Sequence, residues 1–193
     1  MPIRLTNTLS GAKEELLIPH GRPLNLFVCG PTVYDEIHLG NARTYAVFDT
    51  LAKHLRSKKI NLFYLENITD IDDKIIARAA EASVAPRALA ARYTKSFREI
   101  SKALRLDSVN RCAPATRFIP EIIRQLKTLI AKGNAYEIKG DGWYFDLSTF
   151  PDYGKLARRT VEQAEDGTSR IDENSGKRNR GDFCLWKFSK PGE

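Results

Sequence analysis

Two short apolar runs, LNLFVC at 24–29 and NLFYLENIT at 61–69, bracket a segment with helical periodicity. The first run stops at Gly30-Pro31, and proline has no N–H to continue a strand ladder. From Asn41 onward Val47, Phe48, Leu51 and Leu55 recur three and four apart, which predicts a helix to about Lys58. After the second run, Thr69 or Asp70 is expected to cap a further helix, with Asp72 and Asp73 near its positive end. Strand, turn, helix and strand make a βαβ unit, because two parallel strands need a long crossover. The predicted fold class is therefore α/β, with the beginning of a parallel, doubly wound sheet.

Two more helices follow by the same argument. One carries Leu89, Tyr93, Phe97, Ile100 and Leu104 on one side; the other carries Ile119, Ile122, Ile123, Leu126 and Ile130 and stops at Gly133. AYEIKGDGWYFDLS then reads as a hairpin turning at Gly140-Asp141. The stretch 162–182 is polar and is expected to be a mobile loop, and FCLW after it is strand-like, with Cys184 among apolar neighbours. Cys112 precedes Ala-Pro and is expected in a loop. No internal repeat occurs.

No apolar run approaches the ~18 residues of a membrane span, so no membrane is expected as a partner. Three scattered cysteines make no disulfide framework, which sets a reducing, cytoplasmic location as the expectation. The net charge of +7 is concentrated: residues 86–132 hold eleven basic residues and three acids. Such an excess suits a polyanion, because neutralised phosphates release their counterions. Lys95, Arg98, Lys102 and Arg105 form one stripe there, readable as a solvated face or as one turned toward RNA.

The turn after the first strand is the chemical candidate. In an open parallel sheet, ligands sit beyond the carboxyl ends of the strands. Cys29 and His38 flank that turn, and the helix after it offers N–H groups near Gly40 to Ala42 for a phosphate. Gly40 would let a ligand approach the backbone, His38 has donors for oxygens that gain charge, and Asn41 has an amide donor beside it. A strand cysteine is also a common small core residue, and a lone histidine is often structural. Neither the glycine-rich dinucleotide fingerprint nor the P-loop pattern is present. DIDDK (70–74) can likewise be read as a helix start or as a magnesium site.

CGPTVYDEIHLGNAR and NITDIDDKI resemble the cysteinyl-tRNA synthetases, a class I aminoacyl-tRNA synthetase family, and the similarity continues through LIAKGNAYE, PDYGKL and KRNRGDFCLWKFSKPGE. HLGN stands where the class signature His-Ile-Gly-His is expected, with asparagine for the second histidine. The resemblance implies a cytoplasmic ligase, monomeric at full length, that joins L-cysteine and ATP (with Mg2+) to cysteinyl-adenylate and then charges tRNA(Cys). It implies ATP contacts at Gly30, His38, Gly40 and Asn41, with His38 and Asn41 catalytic, and cysteine contacts at Cys29, Gly30 and Thr69. It also implies a zinc ion that reads the substrate thiolate, with Cys29 as one ligand; zinc prefers a thiolate to a hydroxyl.

On that basis residues 1–24 are a lead-in and 25–134 the first half of a Rossmann-type (HUP-like) catalytic domain. Residues 135–193 begin the connective-peptide insertion. The remaining zinc ligands, a second signature loop and the anticodon-binding helices are expected to be missing. One thiolate is too few for tight zinc binding, so the chain alone is expected to hold none and to be inactive. WKFSK (186–190) imitates the second class I signature but comes too early for it. The alternatives are a cysteine:amino-sugar ligase of mycothiol synthesis, which NTLSGAKEE and NITDIDDKI fit less well, and a non-catalytic or split-enzyme fragment that binds nucleotide or RNA.

Overall fold

The computed structural model describes residues 2–158 and 174–190. Residues 162–173 of the expected polar loop lie outside them. The chain divides into two compact units, residues 17–119 and residues 1–16 with 120–193. The lead-in holds an antiparallel pair, β1 (Arg4–Thr6) and β2 (Lys13–Glu15), which the sequence pattern does not announce. Its strands are short and exposed on both faces, so no apolar alternation marks them. The turn between them is set by Asn7, whose Oδ1 accepts from Leu9 N at 3.0 Å, and by Gly11 at φ +70°.

In the 17–119 unit, β3 (Leu24–Val28), α1 (Leu39–Ser57), β4 (Leu62–Ile68), α2 (Asp73–Glu81), α3 (Pro86–Ala103) and β5 (Arg111–Pro114) follow in order. The three strands form one parallel sheet in the order β3-β4-β5, and α1 is the crossover of the predicted βαβ unit. Central β4 alternates strictly: Leu62, Tyr64, Glu66 and Ile68 are buried. Val33, Ile68, Ile75, Ala79, Leu89, Ala90 and Tyr93 close into a core under α2 and α3. Tyr45 of α1 meets Phe97 of α3 edge to face at 5.3 Å.

Several expectations change here. β3 is an edge strand rather than a buried one: Phe27 is 57% exposed, because its face of the sheet carries no helix in this unit. On α1 the buried stripe is Tyr45, Asp49, Ala52 and Leu55, and Val47 points out. Asp49 tolerates burial because its carboxylate accepts from Ser108 N at 2.9 Å and pairs with Lys53 at 2.7 Å. The cap of α2 is Asp72, which accepts from Lys74 N; Asp70 is instead engaged by Thr116, through both its N–H and its hydroxyl. Thr69 cannot cap because its backbone still pairs with the β3 side, donating to Pro31 O and accepting from Val33 N.

Cys112 lies in β5, half-buried against the core, and burial pushes its thiol pKa up. That strand has four residues and ends in proline, so only its pairing with β4 reveals it. α3 ends at Ala103, which leaves Leu104 half exposed and puts Arg105 (φ +55°) in the turn beyond, off the helical stripe.

The other unit contains α4 (Ile119–Ala131), β6 (Ala135–Ile138), β7 (Gly142–Phe145) and β8 (Phe183–Lys187). α4 terminates before Gly133 at φ +75°, as the sequence predicts. The hairpin turns at Gly140, φ +76°, and β8 adds to β7 antiparallel. Cys184 is half-buried in β8. Residues 174–182 are ordered turns rather than a mobile loop, because Asp182, fully buried, gathers them. It accepts from Tyr136 Oη, Leu147 N, Asn179 N and Asn179 Nδ2. Lys187, the first lysine of WKFSK, is held by Asp141 at 2.9 Å and by Tyr144 Oη at 2.8 Å. Its ammonium is structural, in keeping with a chance likeness to the signature.

Candidate active-site cleft

A cleft of about 380 Å3 opens at the carboxyl end of β3. Cys29, Gly30, His38 and Asn41 all line it, with Tyr34 and Thr44. Thr69 and Gly40 are not on its wall. Cys29 and His38 themselves are exposed.

His38 is placed by the helix it precedes. It is the N-cap of α1, with extended backbone at φ −87° and ψ 167°. Its Nδ1 accepts from Asn41 N at 3.3 Å, while Asn41 Oδ1 accepts from His38 N at 3.3 Å. This is a capping box built from histidine and asparagine instead of serine and glutamate. Two consequences follow. An accepting Nδ1 carries no proton, so the ring's N–H is at Nε2 and that donor is not used by the cap. Asn41 likewise commits its oxygen to the cap and keeps its Nδ2 hydrogens for another acceptor.

The same cap revises one expectation. The N–H groups of Asn41 and Ala42 are not open to a ligand, since both donate to His38 O and Asn41 N also to the ring. The open donors belong to Leu39 and Gly40, in the first turn. Gly40 leaves room for the ring: a Cβ there would lie 2.9 Å from His38 Nδ1 and Cε1.

Asn67 is a site residue that the sequence pattern does not single out. Its Oδ1 accepts from Gly30 N at 2.9 Å, and its Nδ2 donates to Thr69 Oγ1 at 3.3 Å. One side chain thus fixes the turn after Cys29 and orients the Thr69 hydroxyl. The only sequence signal is its place two residues before Thr69 at the end of a strand. The loop to His38 is fastened from outside as well. Asp35 pairs with Arg78 at 3.5 Å, Lys74 lies 5.6 Å from the Tyr34 ring centre, and the Ser96 hydroxyl donates to Glu36. Exposed pairs of this kind each contribute about 0–1 kcal/mol, so their effect is on orientation more than on stability.

Beneath the turn lies Glu66, 3% exposed, with no hydrogen bond to its carboxyl among the described residues. Burial raises its pKa to about 7. Between the ordinary glutamate value and 7 the folded protein keeps this proton and the unfolded chain loses it. Stability therefore falls as pH rises through that window and levels off above it. Glu66→Gln is expected to raise stability at pH 8 by about 1–3 kcal/mol and to leave it nearly unchanged at pH 4. Denaturant unfolding at the two pH values measures this; a variant with the parent's pH dependence would refute the assignment.

Among the described residues, no group of three or more His, Cys, Asp or Glu side chains converges on a possible metal position. No described helix is long and apolar enough to cross a membrane.

The profile described as "tRNA synthetases class I (C) catalytic domain" matches residues 17–193. A cysteine–tRNA ligase of Thermoplasma acidophilum is 48% identical over 191 residues, covering 99% of this chain and 42% of that protein. One of Heliobacterium modesticaldum is 45% identical, covering 100% of this chain and 40% of its own length. This chain thus spans about two fifths of the curated relatives it matches. Among solved structures, the Mycobacterium tuberculosis methionyl-tRNA synthetase bound by methionyl-adenylate superposes with TM-score 0.56 at 18% identity, over 68% of this chain and 34% of that one. At that identity the likeness is one of fold: the parallel sheet here is of the class I synthetase, Rossmann-like kind.

Proposed function

The chain belongs to the class I (C) tRNA synthetase catalytic-domain family, and from that membership we propose that it is the nucleotide-binding part of a cysteine–tRNA ligase. The protein would activate L-cysteine with ATP and pass it to tRNA(Cys). The observation that carries this reading is the meeting of Cys29 and the capping His38 on one cleft at the end of a parallel strand. Residues 25–134 would then form the first half of the catalytic domain, and 135–193 the start of an insertion.

In this reading His38 Nε2–H and the Asn41 amide, whose residues both line the cleft, would donate to the ATP phosphates. Adenylate formation moves negative charge onto the departing pyrophosphate, and donors already fixed by a helix cap need no reorganisation to meet it. The first-turn N–H groups of α1 add partial positive charge at the same place. Gly30 and the Thr69 hydroxyl, set by Asn67, bound the side proposed for the amino acid, with Cys29 at its rim. A zinc ion in this family would read the substrate thiol, with Cys29 as one of its ligands.

His38→Ala, in the intact protein, should slow cysteine-dependent ATP–pyrophosphate exchange by about 100-fold at saturating cysteine, with little change in cysteine affinity. Exchange within about threefold of the parent would leave His38 only as a helix cap.

A further inference from the structure

A second concavity lies in the 17–119 unit, about 820 Å3 in volume, bounded by α2, α3 and the chain following β5. Its lining carries four basic side chains, Arg87, Lys95, Arg98 and Arg117, against two carboxylates, Asp70 and Asp72. All four cations are exposed. Both carboxylates are already engaged as acceptors, Asp70 by Thr116 and Asp72 by the α2 cap. Lys95 has a loose pair with Glu99 at 3.9 Å, and Arg87, Arg98 and Arg117 have no ion pair among the described residues.

From this arrangement we infer that the groove between α2 and α3 binds the phosphate backbone of RNA, through Arg87, Arg98 and Arg117 with Lys95. Arg87, Lys95 and Arg98 recur along one side of α3 at helical spacing, over about 16 Å at 1.5 Å per residue. That length suits several consecutive phosphates better than one small anion. Three of the four cations are arginines, whose planar fork matches phosphate oxygens in pairs. The lining has no aromatic side chain among the described residues, so it offers no platform for stacked bases. Such a surface positions a nucleic acid without reading its sequence. The sequence stripe included Lys102 and Arg105, but neither lines the groove; Arg117, outside the stripe, does.

RNA as the polyanion rests on the ligase reading, and the test separates the two. The intact protein is titrated with a tRNA(Cys) transcript across a salt series, as the parent, as Arg87→Gln/Arg98→Gln/Arg117→Gln, and as a control, Arg22→Gln/Lys58→Gln/Lys59→Gln. Each lost phosphate contact should flatten the plot of log affinity against log salt by about 0.7–0.9. The groove variant is expected to lose about 2 in slope and at least about tenfold in affinity at about 100 mM salt, with the control near the parent. Pyrophosphate exchange, which needs no RNA, should be the same in all three. An unchanged slope in the groove variant, equal losses in the control, or no binding by the parent would each overturn the inference. Displacement of the RNA by polyglutamate at equal charge concentration would also overturn it and point to an acidic protein partner. Absent exchange with intact groove-dependent binding would defeat the ligase reading alone.

Discussion

Gly30→Ala should destabilise the 17–119 unit by about 3 kcal/mol or more and disorganise the cleft with it. The backbone of Gly30 is not in the left-handed region, so conformational freedom is not the reason. The reason is steric: a Cβ at this position would lie 1.8 Å from the carbonyl oxygen of Asn67 and 3.1 Å from Glu66 Cγ. Both neighbours belong to the central strand β4, which is paired on both sides and cannot retreat. β3 would have to part from β4 where Gly30 N donates to Asn67 Oδ1 and where Thr32 bridges Thr69. Cys29, one residue earlier, would move with it. Denaturant unfolding measures the loss, and a midpoint equal to the parent's would show that β3 slides without cost.

Asp182→Ala is expected to cost about 3–5 kcal/mol in the unit that holds β6 to β8. The side chain is fully buried, and its two oxygens accept from Tyr136 Oη at 2.7 Å, Leu147 N at 2.9 Å and Asn179 N at 3.0 Å. Alanine would leave three donors without acceptors in a place that water does not reach. Each such group costs about 1–3 kcal/mol. Asp182→Asn tests the same point differently, because an amide brings two hydrogens of its own to a site already filled with donors. Hydrogen exchange at the Leu147 and Asn179 amides should speed up in the alanine variant before global unfolding. A loss below about 1 kcal/mol would mean that solvent or a rearranged turn replaces the carboxylate.

The neighbouring residues show how unevenly local sequence reports such networks. Asp141 and Tyr144 bond within the hairpin itself, and Lys187 reaches them only because β8, some forty residues on, pairs with β7. Nothing in FCLWKFSK distinguishes a structural lysine from one on a mobile loop. The partner across the strand does.

The βαβ unit, the hairpin at Gly140, the end of α4 before Gly133 and the turn carrying Cys29 and His38 were all legible in the sequence. Each depends on contacts within a few residues: apolar period, a missing N–H at proline, a glycine where φ turns positive. The parallel order β3-β4-β5 and the short strand of Cys112 depended instead on pairing across some fifty residues, and periodicity carries no record of a partner. The choice of Asp49 over Val47 for the buried side of α1 was likewise decided by a remote donor, Ser108 N. So was the role of Asn67, which is ordinary in a strand until Gly30 and Thr69 are brought beside it. Residue types and local period determined what the elements are and which turn holds the chemistry. Tertiary structure alone decided how His38 is oriented, which oxygen and nitrogen atoms remain free to act, and which cations share a groove, because those depend on the atoms that packing brings within hydrogen-bonding reach.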